Sequence, residues 1–122
     1  MGGICGFPGY DIEESQVDPL GTISGSGPAW VYFFIERITE TAIGLGFTPE
    51  QAKIMVEQTW LGSMEYLAAS GRPPTELRRE VTSPKGTTER AIAVLTDADL
   101  TALFDRAVAA GLVRAKELAE GK

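Results

Sequence analysis

Apolar positions along this chain recur mostly at helical spacing. Val31, Ile35, Ile38, Ala42 and Leu45 follow one another at intervals of four and three, which places them on one face of a helix. Ser26 is a candidate N-cap, and Pro28 suits the first turn, where a missing N–H costs nothing. Trp30, Phe33 and Phe34 make the early turns apolar nearly all round, so this helix is expected to be covered on more than one side. Gly46 is placed to end it, with Phe47 over its last turn.

The next boundary is written more fully. Thr48-Pro49-Glu50-Gln51 combines an N-cap hydroxyl, proline at the first helical position and a glutamine three residues after the cap, which predicts a capping box. Ala52, Met55, Val56, Thr59, Ser63, Met64 and Leu67 form the expected inner face of this second helix, and Gly71 with Pro73 and Pro74 closes it. A short helix is predicted over Thr75–Glu80 and another over about Thr88–Leu95. A last one, capped by Asp97 or Asp99, carries Leu100, Leu103, Phe104, Ala107, Val108, Leu112, Ala115 and Leu118 as its stripe. No strand pattern and no internal repeat is found. The fold class is therefore all-α, a bundle of about five helices over residues 21–122. Residues 1–20, rich in glycine and poor in periodicity, read as a lead segment, partly disordered or derived from an expression vector.

The second helix, at about 21 residues, is roughly 31 Å long, whereas a compact monomer of this length has a radius of gyration of about 14 Å. Long helices that are apolar on more than one face fit either a self-contained bundle or a bundle that meets a second copy. The pattern alone leaves both open.

Composition narrows the chemistry. The 122 residues are 43% apolar and 23% charged, with a net charge of −6. This balance suits a soluble domain and speaks against nucleic acid, whose phosphates call for clustered Lys and Arg. The longest apolar stretch, Ala29–Ile35, falls far short of the ~20 residues of a membrane span, and the N-terminus lacks the pattern of a signal peptide. The single cysteine, Cys5, cannot form an internal disulfide, which accords with a cytoplasmic location. There is no histidine, so Ser-His-Asp and Cys-His catalysis and histidine metal sites are excluded. No acidic cluster has metal-ligand spacing.

Two motifs remain. SGSGPAW lacks the third glycine and preceding strand of a dinucleotide fingerprint, and neither Ser24 nor Ser26 has the flanking glycines of a nucleophile elbow. VTSPKGTTER places Ser83, Pro84, Gly86, Thr87 and Thr88 directly before a helix. The first N–H groups of a helix have no internal partner and carry partial positive charge. Hydroxyls gathered around them read either as an ordinary capped turn or as a cradle for a carboxylate or phosphate.

SGSGPAWVYFFIE, TPEQA and VTSPKGTT, in this order and spacing, resemble the C-terminal domain of pyrroline-5-carboxylate reductase over roughly residues 15–120. The resemblance implies an all-helical domain interlocked with a second copy, as a homodimer or a larger assembly. It also implies an N-terminal Rossmann domain that holds NADP or NAD in the full-length enzyme, and reduction of Δ1-pyrroline-5-carboxylate to L-proline, the last step of proline biosynthesis. Ser83 matches the serine that binds the substrate carboxylate. The N–H groups of Gly86, Thr87 and Thr88 would complete that cradle, and Thr88 matches the threonine near the ring nitrogen, the catalytic position. Ser24–Ala29 would line the approach to cofactor and partner. The chain departs from the family at Lys85, where a glycine is usual, and at Trp30, often a tyrosine.

The lysine implies either an ordinary backbone angle or a strained one. No histidine or evident buried acid offers a general acid. Nothing in the chain reads as a Rossmann domain, so a fragment is expected, binding neither cofactor nor metal and inactive by itself. The competing readings are a non-catalytic helical dimerisation module and the helical domain of another NAD(P)-dependent dehydrogenase.

Overall fold

The computed structural model describes residues 11–122. Among them there is no strand. The helices are α1 (Val17–Leu20), α2 (Gly27–Gly44), α3 (Pro49–Ser70), α4 (Pro74–Glu80), α5 (Thr87–Asp97) and α6 (Leu100–Ala119). The chain divides into two compact units: one holds the segment up to Tyr32 together with Asp99–Lys122, and the other is Phe33–Ala98.

In the first unit, helical structure starts ahead of the expected boundary. The lead segment of residues 1–20 lies outside the described residues over its first ten. From Glu14 onwards a 3₁₀ turn (Glu14–Gln16), α1 and a π-helical turn (Gly21–Gly25) run into α2. The Gln16 side chain accepts from the Glu13 N–H at 3.1 Å. Ser26 is consequently not an N-cap. A cap needs extended backbone, but Ser26 is right-handed helical (φ −86°, ψ −18°), and its N–H is spent on the Gly21 carbonyl at 3.0 Å, the i−5 bond of a π turn.

Thr22, in that turn, is buried and donates to the Pro19 carbonyl at 2.7 Å. It rests on Gly111 of α6, where a Cβ would come within 3.1 Å of Thr22 Cγ2. A side chain there would press on Thr22, which would have to give by a few tenths of an ångström. Trp30 stacks on Phe104 with ring centroids 6.0 Å apart. Asp99 starts α6: its backbone is left-handed (φ 52°), and its carboxylate accepts from the Ala102 N–H at 3.2 Å. Of the two aspartates the sequence offered, Asp97 instead closes α5.

The second unit follows its sequence signals closely. The Gly46 N–H bonds to the Ile43 carbonyl (3.0 Å) and the Phe47 N–H to the Ala42 carbonyl (3.4 Å), with Gly46 at φ 106°. This is a Schellman ending, which needs a residue tolerant of positive φ. Thr48 and Gln51 then exchange side-chain-to-backbone bonds of 3.0 and 3.1 Å, the predicted capping box. Gly71, at φ 65°, ends α3. Arg72 bridges to Glu76 (3.4 Å) and Glu80 (2.6 Å), tying the corner to α4. The hydrogen bond that Arg72 donates to Glu80, with the one to Glu76 assisting, raises the pKa of the guanidinium above its usual value.

The core of this unit is small: Ala42, Ala52 and Val56 are buried, with Ile35 and Trp60 packed against them. This corrects the expected inner face of α3. Met55, Thr59, Ser63 and Met64 are exposed, and Trp60 is covered in their place. Helical periodicity names the apolar face, but among the described residues of this unit only its first half is packed into the core.

Candidate functional site

The SPKGTT segment joins α4 to α5 through a turn. Val81 ends α4, and the Thr82 hydroxyl donates to the Arg78 carbonyl at 2.5 Å. The Gly86 N–H then donates to the Ser83 carbonyl at 3.0 Å. Pro84 and Lys85 occupy the two central positions of this turn, and Lys85 has φ 62°. Proline second and a positive angle third is the pattern of a type II turn. This decides between the two readings of Lys85: its angle is the left-handed one that glycine adopts freely and lysine does not.

Gly86 is demanded for another reason. Its own angles are extended (φ −87°, ψ −179°), which any residue adopts. A Cβ, however, would lie 3.1 Å from the Ser83 carbonyl oxygen. The glycine lets the turn close tightly enough to start α5 at Thr87.

That start has no side-chain cap, in contrast to α3 and α6, which Thr48 and Asp99 cap. The hydroxyls nearby are also uncommitted. Thr39, Thr41, Thr59, Thr82 and Thr96 each donate to the carbonyl four residues back. Ser83, Thr87 and Thr88 make no such bond; Thr87 and Thr88 stand in a first turn, with no helical carbonyl four residues behind them. Thr88 is half-buried, while Ser83, Lys85 and Thr87 are exposed. The structure thus brings Ser83, Gly86, Thr87 and Thr88 into one short loop. It spends the Gly86 N–H on the turn, so the N–H groups of Thr87 and Thr88 and the three hydroxyls are what the loop offers to an anion.

One participant was missed in the sequence. The Glu89 carboxylate folds back and accepts from the Lys85 N–H through Oε1 at 3.0 Å. A glutamate three residues after an N-cap is a visible signal, but a glycine at the cap position (Gly86) offers no side chain to complete a capping box.

Relatives decide what such a loop belongs to. The family profile for pyrroline-5-carboxylate reductase dimerisation matches residues 14–118. This chain belongs to that family. It is 40% identical over 108 residues to the pyrroline-5-carboxylate reductase of Pseudomonas aeruginosa, covering 88% of this chain and 40% of the relative. It is 43% identical over 86 residues to pyrroline-5-carboxylate reductase 2 of Bacillus subtilis, covering 70% and 31%.

Among solved structures, the Coxiella burnetii pyrroline-5-carboxylate reductase superposes with a TM-score of 0.84 at 41% identity, over 89% of this chain and 40% of that one. The Plasmodium falciparum pyrroline carboxylate reductase, solved with NADP bound, gives 0.81 at 32% identity, over 88% and 44%. The chain therefore spans about 40% of the length of these reductases. Membership removes the helical domain of an unrelated dehydrogenase as a reading. Among the described residues there is no group of acidic, histidine or cysteine side chains able to hold a metal, and no helix long and apolar enough to cross a membrane.

The left-handed lysine has a measurable cost. A non-glycine residue at positive φ costs about 1–2 kcal/mol, and glycine returns roughly 0.5–1 kcal/mol of this through the greater freedom of its unfolded chain. Lys85→Gly is therefore expected to stabilise the domain by about 0.5 kcal/mol, seen as a rise in thermal midpoint of a few degrees. An unchanged or lower midpoint would mean that the turn carries no strain.

Proposed function

We propose that this chain is the dimerising, substrate-holding part of a pyrroline-5-carboxylate reductase. Such an enzyme reduces Δ1-pyrroline-5-carboxylate to L-proline with NAD(P)H, here as a homodimer in the cytoplasm. The observation that carries the reading is the uncapped start of α5, with Ser83, Thr87 and Thr88 around it, in a chain of this family.

Ser83 and the N–H groups of Thr87 and Thr88 hold the substrate carboxylate at the positive end of α5. This fixes the ring in one orientation, which is the main contribution a binding half can make. The Thr88 hydroxyl, two residues into the helix and half-buried, hydrogen-bonds the ring nitrogen. No described residue is placed as a general acid, so solvent or the protonated imine supplies the proton at nitrogen. The described residues contain neither strands nor a glycine turn fitted to a dinucleotide. The hydride donor is assigned to a part of the enzyme outside them.

Dimerisation is supported by the family profile and by the apolar side chains that α3 leaves exposed, with Ile54, Leu61 and Met64 each at least half exposed.

The test is a fusion of the part of the P. aeruginosa relative that this chain does not cover to residue 14 of this chain. The fusion should oxidise NADPH when supplied with pyrroline-5-carboxylate, and the 122-residue chain alone should not. A folded, dimeric fusion without activity would contradict the assignment.

A further inference from the structure

We propose that the Glu89 carboxylate is a built-in competitor of the anionic substrate, held over the start of α5 by the backbone of Lys85. The inference rests on the reading of Ser83–Thr88 as a carboxylate site and adds to it a residue that sets its affinity.

The geometry is local and specific. Glu89 stands three residues after the N-cap Gly86, within the first turn of α5. It does not point out along the helix. Its Oε1 returns to the Lys85 N–H at 3.0 Å, one residue ahead of the cap. Lys85 itself lies at φ 62°, in the turn closed by the Gly86–Ser83 bond. A negative charge is thus parked at the positive end of the helix, where it is favoured for the same reason that a substrate carboxylate would be.

An incoming carboxylate that reaches the N–H groups of Thr87 and Thr88 meets this like charge at close range. It must share the helix end with Glu89 or displace it. Glu89 is exposed, so it can swing into solvent. The competitor therefore weakens binding and does not block it.

The size of the effect is that of exposed charges in water, about a twofold to fivefold change in affinity at low ionic strength, lost as salt screens it. Glu89→Gln is the informative variant. It keeps an Oε1 acceptor for the Lys85 N–H and removes only the charge. Because the position is exposed, the fold is expected to survive.

The experiment follows the amide signals of this chain by NMR during titration with L-proline, with pyrrolidine as the same ring lacking a carboxylate. Proline should shift the Thr87 and Thr88 amides in both proteins, and pyrrolidine should not. Glu89→Gln should bind proline about twofold to fivefold more tightly at low salt, with the gap closing at high salt. Equal or weaker binding by the variant, with Thr87 and Thr88 still responding, would overturn the competitor role and leave the carboxylate site standing. No response of these amides to proline in either protein would overturn both.

Discussion

Leu61→Asp is expected to turn a dimer into a monomer in sedimentation velocity at micromolar concentration. Ile54 and Leu61 lie two helical turns apart on α3, roughly opposite Ala52 and Val56, and are 57% and 50% exposed. The helix is thus apolar on two faces, and among the described residues of its own unit only one of them packs into the core. At an exposed position of a monomer, such a substitution changes stability by about 0.5 kcal/mol or less. At a two-fold interface it buries an unpaired charge in both copies, at about 3 kcal/mol or more each. The two cases differ by far more than the error of the measurement. A wild-type chain that sediments as a monomer, or a variant that remains a dimer, would show that this face meets water.

The second large effect is expected at Thr88. In a reductase carrying both halves, Thr88→Ala should lower turnover about tenfold, the equivalent of one hydrogen bond of about 1.4 kcal/mol. Thr88→Ser should restore most of it, because the hydroxyl is what the reading requires. A role confined to packing predicts no such rescue: alanine and serine would behave alike, since both lack the methyl group. Wild-type kinetics in the alanine variant would remove Thr88 from the reaction.

What could be read from the sequence was what is decided within a few residues. Thr48, Pro49 and Gln51 start α3 as the capping rules require, and Gly46 and Gly71 end their helices at positive φ, since each signal is complete in four or five residues. Ser26 misled for the same reason. A hydroxyl before a glycine and a proline looks like a cap, but it becomes one only if the preceding chain is extended, and here a π turn keeps the chain helical.

Coverage was the harder matter. Periodicity marks Met55 and Met64 as apolar positions of α3, yet it does not say where the covering neighbour stops, and it passed over Trp60. At the candidate site, the loop and its hydroxyls were visible in VTSPKGTT. Which N–H groups remain free depended on the Ser83–Gly86 bond, and the angle at Lys85 depended on the turn type. Neither is fixed by residue identity alone. The roles of Ser83 and Thr88 came from resemblance; the geometry supplies an uncapped helix start that suits them.

The central claim is that this chain holds the substrate carboxylate within a dimerising domain. A crystal structure of the chain grown with L-proline tests it most directly. The account predicts a two-fold dimer that covers Ile54 and Leu61, with the proline carboxylate accepting from the Thr87 and Thr88 N–H groups and the ring nitrogen beside the Thr88 hydroxyl. Proline bound elsewhere, or a start of α5 left to water in a crystal that holds proline, would contradict it.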